Sequence, residues 1–418
     1  MQISEPTITS DLHKNRNSKE VSNLNPKNDD FSRFGYMGIF AELEKITERL
    51  PKYLHLSNCD PPVYGYVLEE SIQRKIDQLK LTEYAGYPSW NGDEKLRQAL
   101  SQRIKDITNV ELPPNKIVMT YGVSEGFPLT FDALFQNNPG SLAIPDPSYI
   151  PLIVQARRFT KIWFYTCEEE MNWNPDMEQL VTALEQHSDT KAIVIITPNS
   201  PTGAVYSEKV LKELVNIAGQ YKLIIITDEI YDSLTFGKFN SPLEFAQEIP
   251  VVYLNGFSKV YRLPGYRLGY LGWHDPCEKY PNIWHYLKHL CKGRLGVTSI
   301  AQEIAKLALQ EPKEMILEFV ESVHKKQMFL ARHLKSIEGI SVVPAQGGTY
   351  VFPKIPYDID DKLLAKYLLE NHGIYVTPGS AYGLAPARNH LRFVTLVSQE
   401  ALLEGAMALK KSLKSLKN

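Results

Sequence analysis

The sequence is poor in cysteine: its 418 residues include only four, and no two of them form a C-x-x-C pair. Cysteines scattered in this way argue against a disulfide framework and against a zinc site, and they are typical of a reducing compartment. The sequence also lacks an apolar run of about 18 residues, so no membrane-spanning helix is expected. A formal net charge of −2 gives no reason to expect nucleic acid or an anionic membrane as a partner.

Several common catalytic motifs are absent as well. No G-x-G-x-x-G follows an apolar segment and the patterns G-x-x-x-x-G-K-[ST] and H-E-x-x-H do not occur, whereas G-x-S-x-G occurs once, as "GVSEG" at residues 122–126. These motifs bind dinucleotides or nucleoside triphosphates, expose a nucleophilic serine, or hold a catalytic zinc ion. Nicotinamide-dependent, nucleotide-dependent and zinc protease functions therefore lack their signatures, and the single G-x-S-x-G match is by itself a weak signal for a serine hydrolase.

The first thirty residues lack the apolar stretch of a signal peptide, and their acidic residues do not suit a transit peptide. They are rich in Asn, Ser, Lys and Asp. We expect residues 1–30 to form a disordered or loosely attached arm, and the protein to be cytoplasmic.

From about residue 115, short apolar segments alternate with amphipathic helical segments. Strands are predicted within 115–122, 141–149, 191–203, 222–231 and 251–259. A helix is predicted to begin near Ser124 and another to cover 207–221, where apolar residues recur at helical spacing. This alternation predicts an α/β fold, with a mainly parallel sheet covered by helices on both faces. We assign residues 64–305 to this large domain.

The pattern changes after about residue 305. A long helical stretch is predicted over 300–336, followed by short strands within 339–355 and 390–396 and a final amphipathic helix over 398–415. These elements predict a smaller α+β domain of residues 306–418, and residues 31–63 are expected to belong to the same domain.

Polar clusters follow four of the predicted strands: Gly122–Ser124, Pro198–Gly203, Asp228–Tyr231 and Ser258–Lys259. In a parallel sheet covered by helices, ligands bind at the carboxyl ends of the strands. The clusters should therefore lie at one edge of the sheet and form one site.

Lys259 precedes two arginines, Arg262 and Arg267, which would lower its pKa or bind an anion. A lysine of lowered pKa can form an imine with a carbonyl group, although an isolated lysine at a strand end is more often a solvated charge. Asp228 ends an apolar strand, where it either caps the next helix or pairs with a protonated ring nitrogen.

Three further features suggest an anionic, flat ligand. Gly122 and a helix beginning at Ser124 would present free amides to a phosphate, with Arg267 as the opposite charge. Tyr149 either packs in the core or stacks on a ring. Arg392 lies in an otherwise apolar strand of the small domain, where a lone arginine needs an anion such as a substrate carboxylate.

Three segments occur in this order with suitable gaps: "PNSPTGAVYSEKVLKEL", "LIIITDEIYD" and "NGFSKVYRLPGYRLGYL". Together they resemble the fold-type I, pyridoxal-phosphate-dependent aminotransferases of class I/II over about residues 50–410. "GVSEG", "PTGAVYS" and "NGFSK" are most similar to the alanine aminotransferase-like branch.

The resemblance implies a role for each candidate. Lys259 would be the Schiff-base lysine and the base that moves the Cα proton, Asp228 would pair with the pyridine nitrogen, and Tyr231 would bond the ring hydroxyl. The other implied cofactor-binding residues are Val123, Ser124 and Arg267 at the phosphate, Tyr149 on the ring, and Ser258 beside the lysine.

The resemblance also implies contacts to the substrate and to a second subunit. Arg392 would bind the substrate α-carboxylate. Tyr87 stands five residues before Gly92, a spacing similar to that of the family tyrosine that reaches the phosphate of the neighbouring subunit's cofactor. A homodimer with shared active sites follows from this.

Two positions depart from the family pattern. Ser200 stands where the family has an Asn that bonds the ring hydroxyl, and Asn199 precedes it, so either residue could make that bond. Cys59 lies near a position where the family prefers Gly, close to the substrate carboxylate.

The substrate side chain is left open by the sequence. Arg294 is either a partner of a distal substrate carboxylate or a structural arginine. Aromatic substrates also stay open, because tyrosines are expected at the mouth of the site: Tyr64, Tyr66, Tyr84 and Tyr87.

The resemblance implies ping-pong transfer of an amino group between an L-amino acid and a 2-oxo acid. The first alternative is a different reaction with the same cofactor: elimination, cyclisation or decarboxylation. The second is a protein that binds the cofactor without catalysis.

Overall fold

The computed structural model describes residues 35–356 and 358–417, so the predicted arm of residues 1–30 lies outside the described residues. The helices are α1 Gly35–Thr47, α2 Glu70–Asp77, α3 Glu94–Thr108, α4 Val123–Phe135, α5 Ile150–Ala156, α6 Met177–Gln186, α7 Glu208–Gln220, α8 Pro281–Gly293, α9 Ser299–Ala308, α10 Lys313–Lys335, α11 Asp361–His372 and α12 Gln399–Lys417. The strands are β1 Leu54–His55, β2 Ile117–Thr120, β3 Ser141–Asp146, β4 Lys161–Thr166, β5 Thr190–Ile196, β6 Ile224–Asp228, β7 Val251–Gly256, β8 Gly269–His274, β9 Tyr350–Val351, β10 Ile374–Tyr375, β11 Thr377–Pro378 and β12 Leu391–Val394.

The central sheet has seven strands in the order β2-β8-β7-β6-β5-β3-β4. Every pairing is parallel except those of β8, which runs antiparallel to both of its neighbours. The predicted mainly parallel α/β sheet is confirmed. The strands in its middle are buried throughout, which is why they read as continuous apolar runs in the sequence.

The helix predicted over 207–221 is α7, which begins after Ser207, whose side chain accepts a hydrogen bond from the Val210 amide at 3.3 Å. It buries Leu211 and Leu214 against the core. The helix predicted to begin near Ser124 is α4, which begins one residue earlier at Val123, after Gly122.

The parallel strands decide where the functional side chains lie. Because β2, β3, β5, β6 and β7 point in the same direction, the segments that follow them all emerge at one edge of the sheet. We call this edge the rim. The polar clusters after the predicted strands therefore lie on one side of the molecule.

The single helical stretch predicted over 300–336 is wrong, because the chain forms two helices there, α9 and α10. Pro312 lies directly before α10, and its ring disfavours a helical conformation at Glu311. The Glu311 carboxylate instead turns inward and forms a buried ion pair with Arg262. This ion pair therefore links the start of α10 to the segment that follows Lys259.

Only Tyr350 and Val351 form a strand within the predicted range 339–355. Upstream of them, the amides of Gln346 and Gly347 donate to the carbonyl of Gly203, at 2.9 and 3.0 Å. This segment is therefore tied to the loop after β5 rather than to a sheet of its own.

The chain ends form a smaller layer beside the sheet. β11, β12 and β9 make a three-stranded antiparallel sheet, and β1 pairs with β10 in parallel. The buried apolar side chains form one cluster around the central sheet and a second that contains Leu56 and side chains from Leu330 to Leu413. None of the helices in the described part of the chain is long and apolar enough to cross a membrane.

Candidate active site

Lys259 lies three residues beyond the end of β7, at the rim. Its side chain is partly buried, and Nζ donates a hydrogen bond to the carbonyl of Cys59 at 2.8 Å. Burial lowers the pKa of the Lys259 amine, and the positive charge of Arg392 lowers it further. An amine of lowered pKa is a better nucleophile and a better base near neutral pH.

Asp228 ends the neighbouring strand β6 and is buried. Its Oδ1 accepts a hydrogen bond from the amide of Ile230 at 3.2 Å. Burial raises the pKa of Asp228 to about 7, although the nearby Lys259 charge opposes this shift. Lys259 and Asp228 influence each other electrostatically, yet their side chains form no direct salt bridge among the described residues. Each retains the capacity to bind a ligand group.

Gly122 and Arg267 form a narrow cradle at the start of α4. Gly122 has a φ of 71°, in the left-handed region, and a Cβ at this position would meet Nη2 of Arg267 at 2.8 Å. The positive end of the α4 dipole and the exposed guanidinium of Arg267 thus face the same place. The amides of Val123 and Ser124 belong to the first turn of α4. Free first-turn amides beside an arginine suit a phosphate group.

Tyr149 is half-buried at the end of the β3 segment. Burial raises the pKa of its hydroxyl, the Asp228 carboxylate raises it further, and a hydrogen bond with the side chain of Ser124 opposes the shift. Tyr149 therefore connects the helix start with Asp228. Ser258, directly before Lys259, is half-buried at the same rim.

Tyr231 is buried, and its ring packs edge-on against that of Tyr350, with centroids 5.6 Å apart. Burial raises the pKa of Tyr231 well above its usual range, and Tyr350 raises it further. Ser200, which is also buried, is close enough to the Tyr350 hydroxyl to affect its pKa. Tyr231, Tyr350 and Ser200 thus bring three hydroxyl groups to one wall of the site.

The Asn199 side chain is occupied within its own loop. Its Oδ1 accepts from the Thr202 hydroxyl at 2.9 Å, and its Nδ2 donates to the carbonyl of Pro147 at 3.3 Å. The structure therefore places Ser200, and not Asn199, beside Tyr231 and Tyr350.

Arg392 belongs to β12, and its positive charge lies close enough to Lys259 to lower the pKa of that amine. Its Nη2 donates to the carbonyl of Ser57 at 2.9 Å, and its guanidinium lies over the rings of Tyr350 and Tyr382, at 5.6 and 5.0 Å from their centroids. Its Nε is buried and has no hydrogen-bond partner among the described residues. A buried guanidinium with an unused donor and no carboxylate partner in the described chain is suited to an incoming carboxylate.

Cys59 lies between the lysine and the small layer. Its carbonyl accepts from Lys259, and its Sγ lies 3.9 Å from the Thr349 hydroxyl. Both contacts place Cys59 next to Lys259 and Thr349.

Two of the predicted site residues differ from the others: Arg294 lies beside the first turn of α4 but is already paired there, and Tyr87 is exposed. Arg294 forms an ion pair with Glu125 at 2.7 Å and donates to the carbonyl of Met119. Its charge is compensated, so the structural alternative accounts for it. The Tyr87 side chain is 90% exposed.

Sequence reasoning missed Tyr350, Tyr382 and Ser57, which surround Arg392 and Tyr231. Nothing in the local pattern "GGTYVF" distinguishes Tyr350 from a core tyrosine. Its role depends on Gly347 and Gly348, which let the segment pass close to Pro198 and to the Tyr350 ring itself.

Comparisons with known proteins agree with this geometry. The profile of the family described as aminotransferase class I and II matches residues 52–409. Alanine aminotransferase of Mycobacterium tuberculosis is 33% identical over 375 residues, covering 85% of this chain and 83% of that protein. Glutamate-pyruvate aminotransferase AlaA of Escherichia coli is 30% identical over 371 residues, covering 86% and 89%.

The solved structure of an alanine aminotransferase from Pyrococcus furiosus is 31% identical, with a TM-score of 0.85, and covers 91% of this chain and 97% of that one. These matches favour an enzyme over the alternative of a non-catalytic protein. The chain is a transaminase. It belongs to the class I and II aminotransferase family, as a fold-type I enzyme similar to the alanine aminotransferase-like branch.

Proposed function

We propose that this aminotransferase binds pyridoxal 5′-phosphate at the rim and carries out ping-pong transfer of an amino group between an L-amino acid and a 2-oxo acid. The donor set of the site fits this cofactor. A cradle that has no room for a Cβ at Gly122 suits the phosphate, and the buried Asp228 carboxylate suits a cationic ring nitrogen. The amine of Lys259, bonded to only a carbonyl oxygen, suits an aldehyde.

The observation that carries the proposal is the pair Lys259 and Asp228, which lie on adjacent strand ends without a salt bridge between them. A structural pair of opposite charges in a buried place would close into contact, because each charge would otherwise lack a partner. A cationic group beside Asp228 would lower the pKa of this carboxyl below about 7 and keep it ionised.

When bound, the cofactor supplies an aldehyde that condenses with amines and a protonated ring that accepts electron density. The protein residues hold and move protons around it. Lys259 Nζ would remove the proton from the Cα of the amino acid, and burial, which lowers the pKa of this amine, favours the neutral form that this step needs. Asp228 would keep the ring nitrogen protonated.

The remaining roles concern position. The first-turn amides of Val123 and Ser124, with Arg267 and Ser258, would hold the phosphate, and Tyr149 would lie against the ring. Tyr231 and Ser200 would donate to the ring hydroxyl, which leaves Asn199 to hold its own loop. Arg392 would bind the α-carboxylate, next to Cys59.

For substrates, we propose alanine and glutamate with their 2-oxo acids, pyruvate and 2-oxoglutarate. The support is the names of two relatives, alanine aminotransferase and glutamate-pyruvate aminotransferase, each at least 30% identical. Arg294 is left out of the substrate site, since Glu125 already neutralises it.

We also propose the domain division, assembly and location. The second core cluster, formed by Leu56 and side chains from Leu330 to Leu413, supports a small domain of residues 31–63 and 306–418 beside a large domain of 64–305, although other side chains of these ranges, such as Leu43 and Phe319, pack into the central cluster. The exposed Tyr87 ring, with exposed apolar side chains such as Val63 and Tyr266, supports a homodimer in which Tyr87 reaches the partner's site. The free cysteines support a cytoplasmic location.

The cofactor proposal is tested by saturating the purified protein with pyridoxal 5′-phosphate and recording its visible absorbance. Borohydride reduction, digestion and mass spectrometry then locate the attachment. We expect a yellow protein and a pyridoxyl adduct on Lys259. A colourless protein with no adduct at this residue would refute the proposal.

The reaction is tested separately by adding alanine without any 2-oxo acid. Transamination predicts one equivalent of pyridoxamine phosphate and pyruvate per site, followed by arrest. In a parallel incubation with serine, whose β-hydroxyl can leave, sustained release of ammonia would instead support elimination.

A further inference from the structure

The loop between β11 and β12 supplies one wall of the Arg392 pocket. Thr377 of β11 is paired with Arg392 of β12, so the loop begins and ends beside this arginine. Tyr382, within the loop, is buried, and its ring centroid lies 5.0 Å from the guanidinium carbon of Arg392. The position of the loop therefore decides how Tyr382 packs against the guanidinium.

This loop is held by the end of β3, in the large sheet. The amide of Ser148 donates to the carbonyl of Tyr382 at 2.8 Å. The amide of Leu384 donates to both carboxylate oxygens of Asp146, at 2.9 and 3.0 Å. Asp146 is the last residue of β3 and is buried. Residues 382–384 are thus fixed to the rim from the side opposite their own strands.

The contact between Asp146 and the loop requires a glycine. A Cβ at Gly383 would overlap Oδ1 of Asp146, whereas the backbone of Gly383 is not in the left-handed region. The glycine is therefore needed for the close approach of the carboxylate and not for a special turn conformation. The carboxylate and the loop fit together as one packed unit.

A second carboxylate holds the same loop from its own side. Asp361, the first residue of α11, accepts from the amide and the hydroxyl of Ser380 at 2.7 and 2.8 Å. Of the two carboxylates, only Asp146 links the loop to the segment that leads to Tyr149, where the Ser148 amide bonds the loop as well. Asp146 has no role in the steps proposed above, so its burial is otherwise unexplained.

We propose that Asp146 is a positioning residue for substrate recognition: by holding residues 382–384 against the rim, it fixes Tyr382 on Arg392 and thereby sets the affinity for the α-carboxylate. This inference rests on the proposed role of Arg392. Asp146 acts through the loop and touches neither the substrate nor the reacting atoms.

The test uses Asp146→Ala in the enzyme loaded with pyridoxal 5′-phosphate. The Kd of propionate, which is alanine without its amino group, reports the carboxylate pocket alone. We expect roughly tenfold weaker propionate binding and a similar rise in KM for alanine, because one charge-assisted hydrogen bond is lost. The kcat and the visible absorbance should stay within about twofold, because no group that moves a proton is altered.

Three variants make the test specific. In Asp146→Asn the amide oxygen still accepts from Leu384, so propionate binding should return to within about threefold of the native value. Gly383→Ala should weaken propionate binding about as much as Asp146→Ala. The double variant should bind no worse than Asp146→Ala alone, since removal of the carboxylate makes room for the new methyl group.

The matched control is Asp275→Ala. Asp275 is another buried carboxylate that accepts from two backbone amides, those of Lys279 and Tyr280 at 3.0 and 2.8 Å, but it lies at the far end of β8. Its loss should leave propionate binding unchanged. Weaker binding in this variant to the same degree as in Asp146→Ala would show a general loss of structure and overturn the inference.

Arg392→Gln separates this inference from the proposed function. If Arg392→Gln does not weaken propionate binding, the proposed carboxylate pocket is wrong. If it does, but Asp146→Ala or Gly383→Ala binds propionate as the native enzyme does, the positioning role is refuted and the proposed function stands. Gly383→Ala and Asp146→Asn decide the question should Asp146→Ala not fold.

Discussion

Two buried polar regions lie near the segment that follows Lys259. They differ in how many of their charged groups have a partner within the protein. In the first, which we call the Arg103 network, Arg103 forms a forked salt bridge with Asp232, with both N–O distances 2.8 Å, and bonds to the hydroxyls of Tyr261 and Tyr270. Asn255 of β7 also donates to Asp232 at 2.8 Å.

At the rim, charged side chains of the same types lack some of these partners. Lys259 and Asp228 form no salt bridge with each other, and Nε of Arg392 is a buried donor without a partner among the residues that the structure describes. The comparison teaches that burial alone does not distinguish structural from functional charges. What distinguishes them is whether the protein itself supplies the partner.

The largest effect is expected from Lys259→Ala, which removes the amine at the rim. Transamination of alanine should fall by roughly 10⁴-fold or more, because the covalent anchor and the base are lost together. Steady-state turnover with 2-oxoglutarate measures this. The free energy of unfolding should hardly change, since within the described part of the chain the amine bonds only the Cys59 carbonyl. Activity close to the native value would mean that the lysine is not at the reacting centre.

The next effect is on stability and concerns the two aspartates. Asp232→Ala should cost about 3–5 kcal/mol of unfolding free energy, because it leaves the Arg103 guanidinium buried without its partner. Asp228→Ala, without added cofactor, should cost less than about 1 kcal/mol, because the removed carboxylate has no salt bridge. Urea unfolding of both variants decides this. Equal losses would contradict the distinction between the two regions.

Glu229, next to Asp228, provides a test by pH. Burial raises the pKa of Glu229 to about 8, against an ordinary value of 4.5. The folded state therefore keeps a proton that the unfolded chain loses, so the stabilisation is complete below about pH 4.5 and is lost as pH rises toward 8. Glu229→Gln cannot lose this proton, so its stability relative to the native enzyme should rise over this range by a few kcal/mol, on the order of 1.4 kcal/mol per unit.

Unfolding free energies measured in urea at several pH values between 5 and 8 would check this prediction. Glu244→Gln is the matched control, because Glu244 is more exposed and its pKa is also raised by burial, but less strongly. If the unfolding free energies of the native and Glu229→Gln proteins change in parallel with pH, Glu229 is already ionised in the folded state over this range and the prediction is wrong.

The smallest effects are expected from the neighbours Ser200 and Asn199. Ser200→Ala should reduce kcat roughly tenfold with little change in stability, because one donor to the ring hydroxyl is lost. Asn199→Ala should instead cost about 1–2 kcal/mol of stability, because the bonds to Thr202 and Pro147 are lost. Turnover and urea unfolding of the two variants separate these outcomes, and the reverse pattern would exchange the roles of the two residues.

Several elements could be predicted from local sequence because their cause is local. The helix over 207–221 follows from its apolar spacing and a serine cap, and the buried strands follow from continuous apolar runs. The sequence analysis did not predict the break between α9 and α10, because the apolar spacing continues on both sides of it. Pro312, directly before α10, was the available signal. Of the short strands predicted within 339–355, Tyr350–Val351 is confirmed and Ser341 and Lys354 form an isolated bridge, whereas residues 346 and 347 bond a distant loop instead.

The features of the candidate site also fall into those that the sequence predicts and those that depend on tertiary contacts. The sequence by itself determined that Lys259, Asp228 and the start of α4 lie at one rim, because strand direction in a parallel sheet follows from the alternation of strands and helices. Only the tertiary structure decided which polar groups find a partner: Glu125 for Arg294, Thr202 for Asn199 and none in the described chain for Nε of Arg392. The physical reason is that a hydrogen bond or an ion pair depends on distances of a few tenths of an ångström between segments far apart in the chain, which no local pattern encodes.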